Sequence, residues 1–387
     1  MSNHTTLEIL ERLVGFPSVF TAADYSAITD FSHGYLQDLG FSVHRLPGKL
    51  PGRAGLFASL GPQGRGGVLL SAHLDVVPVE GQNWTVDPFR LTRRDGRLYG
   101  RGTTDRKGFA AAALAAAARG AAGSPLERPL KIALSYDEEA GCVGMAEMIG
   151  KLDDTIGVPD RCIVGEPTSM RVAIGHKGKK SYRMRFTGSA GHSASAPNYA
   201  NAIHLAAEAV GILREVQARL DATGARDDAY DIPYTTVHVG TLSGGAALNI
   251  VPQHAELEFE IRHLATETHG IIDDIARQIS DLVSSWRMRH PGVDVAIDVI
   301  NAYPGIETPD DAEIVRWALA RGGSDPVTKV SYGTEAGFFA DTWKIPTIVC
   351  GPGNMDQGHK PDEYVEERQL AECDLMLASV LDSLRQT

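Results

Sequence analysis

The chain has 387 residues, room for two or three domains. With 43 % apolar and 22 % charged residues it has the make-up of an ordinary globular protein, which excludes wholesale disorder, a collagen-like repeat and a disulfide scaffold. A net charge of −12 argues against a nucleic-acid or anionic-membrane surface, which needs clustered Lys and Arg, and leaves small molecules and metal cations as partners.

Glu8 and Glu11 interrupt the first amphipathic stretch, where a secretory signal needs a basic flank and an unbroken apolar run. No segment approaches the roughly 18 uncharged apolar residues of a membrane span. Cys142, Cys162, Cys350 and Cys373 have no paired or CxxC spacing. A reducing, cytoplasmic setting is the expectation.

Periodicity predicts helices at 5–14 and 25–39, followed by apolar runs at 67–77, 130–136 and 162–164 with helical stretches between them. That alternation is the α/β signature of a mostly parallel sheet covered on both faces. The alanine-rich run at 109–119 reads as a spacer helix able to pack closely on that sheet.

After GHKGKK at 175–180 the pattern changes. Tyr182, Met184 and Phe186 alternate with Arg183 and Arg185, so this strand has one apolar and one wet face. A helix at 200–220, strands at 235–242 and 255–264, a helix at 267–289 and a strand at 293–300 complete the order βαββαβ, the ferredoxin-like unit. A helix at 311–321 and a strand at 346–350 resume the α/β character. The expected organisation is a two-segment catalytic domain, 1–178 and 303–387, with an α+β domain inserted at 179–302.

Five stretches carry candidate chemistry. In VLLSAHLDVVP, His73 and Asp75 are two apart and share a strand face, as a salt-linked pair or as an imidazole ligand oriented by a carboxylate. In YGRGTTDRKG, Asp105 precedes the alanine helix, where an acidic residue also suits a helix N-terminus, and the stretch does not match a phosphate-binding loop. KIALSYDEEAG ends an apolar strand on Asp137, Glu138 and Glu139, a solvated acidic turn or a cation site. CIVGEPTS ends another on Glu166, and CGPGNMDQGHKPDEY carries His359 past a third.

Residues His73, Glu138 with Glu139, Glu166 and His359 each sit at or beyond the carboxyl end of an apolar strand, where open α/β sheets place their crevice. Imidazoles and carboxylates without thiolates suit a catalytic rather than a structural zinc site, with cobalt or manganese tolerated.

These five segments resemble the co-catalytic dinuclear zinc hydrolases of the M20 metallopeptidase family, and the inserted unit resembles that family's lid and dimerisation domain. The resemblance implies two zinc ions per subunit, with cobalt as a substitute: His73 and Glu166 on one, Glu139 and His359 on the other, and Asp105 bridging. It implies that Asp75 orients His73 and that Glu138 is the general base, taking the proton of a metal-activated hydroxide and passing it to the departing amine. It also implies a homodimer, in which His192 of GHSAS reaches across to the partner subunit's site. Arg262 and Asn249 would contact substrate, the arginine gripping an α-carboxylate. Gly333, Thr334 and Glu335 would line the side-chain pocket.

DVVPVEGQNWTVDPF, GEPTSMRVAIGHKG, SYGTEAGFF and CGPGNMDQGHKPDEYV look most like the acetylornithine deacetylase branch of the family. The implied reaction is hydrolysis of N2-acetyl-L-ornithine to acetate and ornithine, a step toward arginine. The alternatives are the same chemistry on another N-acyl amino acid or a dipeptide, such as succinyl-diaminopimelate, and a metal-binding relative without catalysis. One departure is Arg106, where the family commonly has Met after the bridging Asp.

Overall fold

The computed structural model describes residues 5–267 and 270–386. The chain divides into two compact units, 1–176 with 306–387, and 177–305.

The first unit is built on a sheet whose order along the main path is Ser42–Pro47, Ala54–Leu60, Leu130–Ser135, Val68–His73, Arg161–Val164, Thr347–Val349, Arg171–His176 and Ile306–Glu307, with Ser324–Val330 paired to Arg171–His176. The four strands from Leu130–Ser135 to Thr347–Val349 are parallel neighbours. His73 lies opposite Ser135, Ser71 opposite Val164 and Val349 opposite Val164, so their carboxyl ends are nearly level. The edge strand Ser42–Pro47 and its neighbour Ala54–Leu60 are antiparallel to the strands beside them.

Every residue of Val68–His73 and Leu130–Ser135 is buried, as in a sheet covered on both faces, which is why these strands read as unbroken apolar runs. The alanine helix Lys107–Ala122 packs on the sheet and against the helices Thr6–Val14 and Glu367–Leu384. Lys131 is the exception inside the apolar run: it is fully buried, and its ammonium donates to the carbonyls of Gly64 and Gly157, 2.8 Å from each. Three strands outside the sequence expectation, Thr92–Arg94, Arg97–Tyr99 and Tyr364–Glu366, form a small sheet of their own.

In the second unit, Gly178–Thr187, Ala202–Thr223, Thr236–Gly244, His254–His263, Ile271–Arg287 and Asp294–Tyr303 follow in the order βαββαβ. The sheet runs Thr236–Gly244, His254–His263, Gly178–Thr187, Asp294–Tyr303 and is antiparallel throughout. Leu257, Phe259 and Ile261 are buried with Tyr182, Met184 and Phe186, and Tyr182 stacks on Phe259 with ring centroids 5.1 Å apart. The wet face is laced with ion pairs such as Arg183 to Glu258 at 2.6 Å and Arg185 to Asp298 at 2.6 Å.

Among the described residues no helix is long and apolar enough to cross a membrane. All four cysteines are buried and free.

Candidate active site

His73 is the last residue of its strand and is fully buried. Its Nδ1 lies 2.9 Å from the backbone carbonyl of Asp75, and donation of that N–H leaves the Nε2 lone pair for a ligand. Asp75, also fully buried, spans two strand ends: Oδ1 accepts the backbone N–H of Glu138 at 3.1 Å and Oδ2 that of Glu139 at 3.0 Å. One carboxylate thereby positions both Glu138 and Glu139 after Leu130–Ser135.

The helix-capping reading of Asp105 fails. The N-cap of Lys107–Ala122 is Arg106, without a side-chain cap bond, and the Asp105 carboxylate lies between two imidazoles, 3.2 Å from His73 Nε2 and 3.0 Å from His359 Nε2. His359 Nε2 is also 3.1 Å from Glu139 Oε1. His359 has a left-handed backbone with φ 60°, unusual for a residue other than glycine, and Gln82 Nε2 donates to its carbonyl at 3.0 Å. Among the described residues, the donors of His73, Asp105 and Glu139 lie within 4.8 Å of one another. Zinc bonds of about 2.0–2.1 Å at tetrahedral angles put donors about 3.3 Å apart. The 3.0–3.2 Å spacings of these pairs fall near that value, with Asp105 facing His73 through Oδ1 and His359 through Oδ2.

The electrostatics point the same way. Burial and the neighbouring Asp105 charge push Glu139 up to about 7. Burial would also raise Asp105, but hydrogen bonds from His359 and His73 hold it below the usual carboxylate range. Hydrogen bonding to the Asp105 and Glu139 carboxylates, which accept, raises His359 to about 10. Burial holds Glu138 well above the usual carboxylate range, although His73 opposes this. The cluster is a desolvated acid site short of positive charge, the setting a divalent cation stabilises.

Two of the expected residues face Arg106. Glu166 follows its strand as expected, but its Oε1 lies 2.7 Å from Arg106 Nη1. Glu335 does not open onto a substrate pocket: it is fully buried, and its Oε2 faces Arg106 Nη2 at 3.4 Å and Ser71 Oγ at 3.5 Å. Thr334 is also fully buried, its hydroxyl accepting the Ala336 N–H at the start of the helix Ala336–Trp343, and Gly333 is half-buried beside it. Asp137 leaves the acidic turn to meet Tyr25 Oη at 2.6 Å and Arg53 Nε at 3.0 Å.

His192, Asn249 and Arg262 lie in the second unit. His192 is exposed, and its Nδ1 accepts the Ala194 N–H at 3.1 Å, which places the neutral ring's proton on Nε2. Asn249 is exposed, and its carbonyl accepts the Ser193 N–H at 3.0 Å. Arg262 is half-buried on the wet face, with Nε donating to Glu260 at 2.7 Å and Nη1 to Tyr303 Oη at 3.4 Å.

Sequence reasoning missed Glu363, whose carboxylate binds the Asp105 loop. Its Oε1 accepts the N–H groups of Thr104 and Asp105, and its Oε2 pairs with Arg101 at 2.6 Å. The signal was its place four residues after His359 in HKPDEY.

Residues 69–383 match the model of peptidase family M20/M25/M40. The chain is 34 % identical over 383 residues to an acetylornithine deacetylase of Photorhabdus laumondii, covering 97 % of this chain and 96 % of the relative. It is 35 % identical to that of Proteus mirabilis, covering 94 % and 92 %. Its fold is similar to an M20 family metallo-carboxypeptidase from Sulfolobus solfataricus, with a TM-score of 0.78, 17 % identity and 99 % of each chain covered. It is also similar to human carnosine dipeptidase 1, with a TM-score of 0.70, 17 % identity and 99 % and 97 % covered. The chain therefore belongs to the M20/M25/M40 peptidase family, a family of metal-dependent hydrolases.

Proposed function

We propose that this chain hydrolyses the acetyl amide of N2-acetyl-L-ornithine, releasing acetate and L-ornithine. The convergence of His73, Asp105, Glu139 and His359 beside the Glu138 carboxylate carries the chemistry. The substrate assignment is supported by relatives of that name at 34–35 % identity over more than nine-tenths of the chain. Zinc is the proposed cation, with cobalt as a substitute, and those four residues are its proposed ligands. When bound it supplies Lewis acidity toward the acyl carbonyl and lowers the pKa of water.

The chain's own residues do the rest. Glu138 Oε2 lies 3.8 Å from His73 Nε2, at the edge of the ligand cluster, and the carboxylate has little contact with solvent. It receives a proton from the attacking water and delivers it to the amide nitrogen as the C–N bond breaks, so that the amine leaves neutral. Asp75 fixes His73 from behind and Glu138 through its backbone, so the base and the ligands share one support.

The proposal includes a homodimer in which His192, with its N–H on Nε2, donates to the developing oxyanion in the partner's site. Arg262 and Asn249 are proposed to hold the substrate. The test is a panel of N-acetyl, N-succinyl and dipeptide substrates on the zinc-loaded protein. The highest kcat/KM is expected for N2-acetylornithine, and preference for a succinylated substrate or a dipeptide would replace this assignment.

A further inference from the structure

The family resemblance implies two cations, the second completed by Glu166 opposite His73. Arg106 occupies the same neighbourhood. Its guanidinium is fully buried, with Nη1 2.7 Å from Glu166 Oε1 and Nη2 3.4 Å from Glu335 Oε2. A guanidinium does not shed its charge in a protein, so this is a fixed positive charge on a carboxylate that the resemblance gives to a metal.

Packing alone does not account for it. A buried ion pair rarely adds stability over apolar residues of the same volume, so a methionine would fill the space as well. A divalent cation bound to Glu166 Oε1 at about 2.0–2.2 Å would lie within about 5 Å of Arg106 Nη1, competing for that oxygen against a like charge.

We propose that Arg106 takes the place of the second divalent cation, so that each chain binds one cation, among His73, Asp105, Glu139 and His359, while the guanidinium neutralises Glu166. This rests on the metallohydrolase reading above but fails separately from it.

The test is stepwise addition of Co2+ to chelator-stripped full-length protein, followed by its visible absorption and electron paramagnetic resonance. Elemental analysis after gel filtration of the zinc-loaded protein gives an independent count. The wild-type chain is expected to saturate at one equivalent, with any second equivalent bound at least 100-fold more weakly. Arg106→Lys, which keeps the charge, is expected to do the same. The double variant Arg106→Met, Glu335→Gln removes both charges, so that neither is left buried alone, and is expected to gain a second equivalent within tenfold of the first. Two equivalents of similar affinity in the wild type, or one in the double variant, would overturn the proposal and leave the hydrolase reading standing. A wild-type chain that takes up no cation would overturn both.

Discussion

Arg101 and Glu363 form an ion pair 2.6 Å long in the interior of the first unit, and both are almost completely buried. The second Glu363 oxygen holds the backbone of Thr104 and Asp105 at 2.9 and 3.1 Å, so the pair is the floor on which the Asp105 loop rests. Glu363→Ala leaves a buried guanidinium and two N–H groups without their acceptor. The expected cost is about 3–5 kcal/mol of stability, with weaker zinc binding through the displaced Asp105. Urea unfolding and a zinc titration measure the two effects, and Glu363→Gln, which keeps an acceptor for the N–H groups, is expected to lose less of the metal affinity.

Glu138→Gln removes the proton carrier but no proposed ligand. Turnover is expected to fall by about 10²–10⁴ while zinc content stays at the wild-type value. Steady-state kinetics with elemental analysis on the same sample checks this; parental turnover would reassign the base.

Cation uptake is expected to release protons. His359 is raised to about 10 by its bonds to Asp105 and Glu139, and Glu139 to about 7 by burial and the Asp105 charge, so a cation must displace the protons these groups carry. The sign follows: affinity climbs with pH, more steeply below about 7, where Glu139 is protonated as well as the imidazoles, than above it, where Glu139 has ionised. Calorimetry in two buffers of different ionisation enthalpy counts the protons. His359→Ala is expected to lower zinc affinity and to flatten the slope above 7.

Gly165→Ala tests how Glu166 is held. A Cβ at 165 would stand 1.9 Å from ring carbons of Phe109 on the alanine helix, so strand and helix must separate. Such overpacking typically costs about 1–3 kcal/mol, here at the end of the strand that carries Glu166. Thermal unfolding gives the cost, and Phe109→Leu in the same chain is expected to recover part of it.

The acid cluster was legible because buried parallel strands give unbroken apolar runs, and a His, Asp or Glu immediately after such a run stands out. The four strands that the runs at 67–77, 130–136, 162–164 and 346–350 predict are neighbours in the sheet. The second unit was legible through its period of two, with Leu257, Phe259 and Ile261 facing the core. Ala54–Leu60 was missed because AGLFASL is rich in small residues with weak strand preference and is buried in all but its last residue, without alternation. Thr92–Arg94, Arg97–Tyr99 and Tyr364–Glu366 are too short to show a period and are braced by stacking of Arg97 on Tyr364 and Arg94 on Tyr99. The directions of Glu335 and Glu166 depend on Arg106, and a fully buried arginine is the exception that pattern reading assigns to the surface.

The strand Thr347–Val349 lies between Arg161–Val164 and Arg171–His176, which precede it by the whole second unit. The ribosome therefore makes the middle of this sheet after both of its flanks, and His359 later still. A nascent chain that has emerged only as far as the second unit has a gap through its centre and lacks one of the four donors. On the proposed ligand set, the full coordination sphere is therefore assembled late in biogenesis, only in chains whose first and last segments have closed on each other.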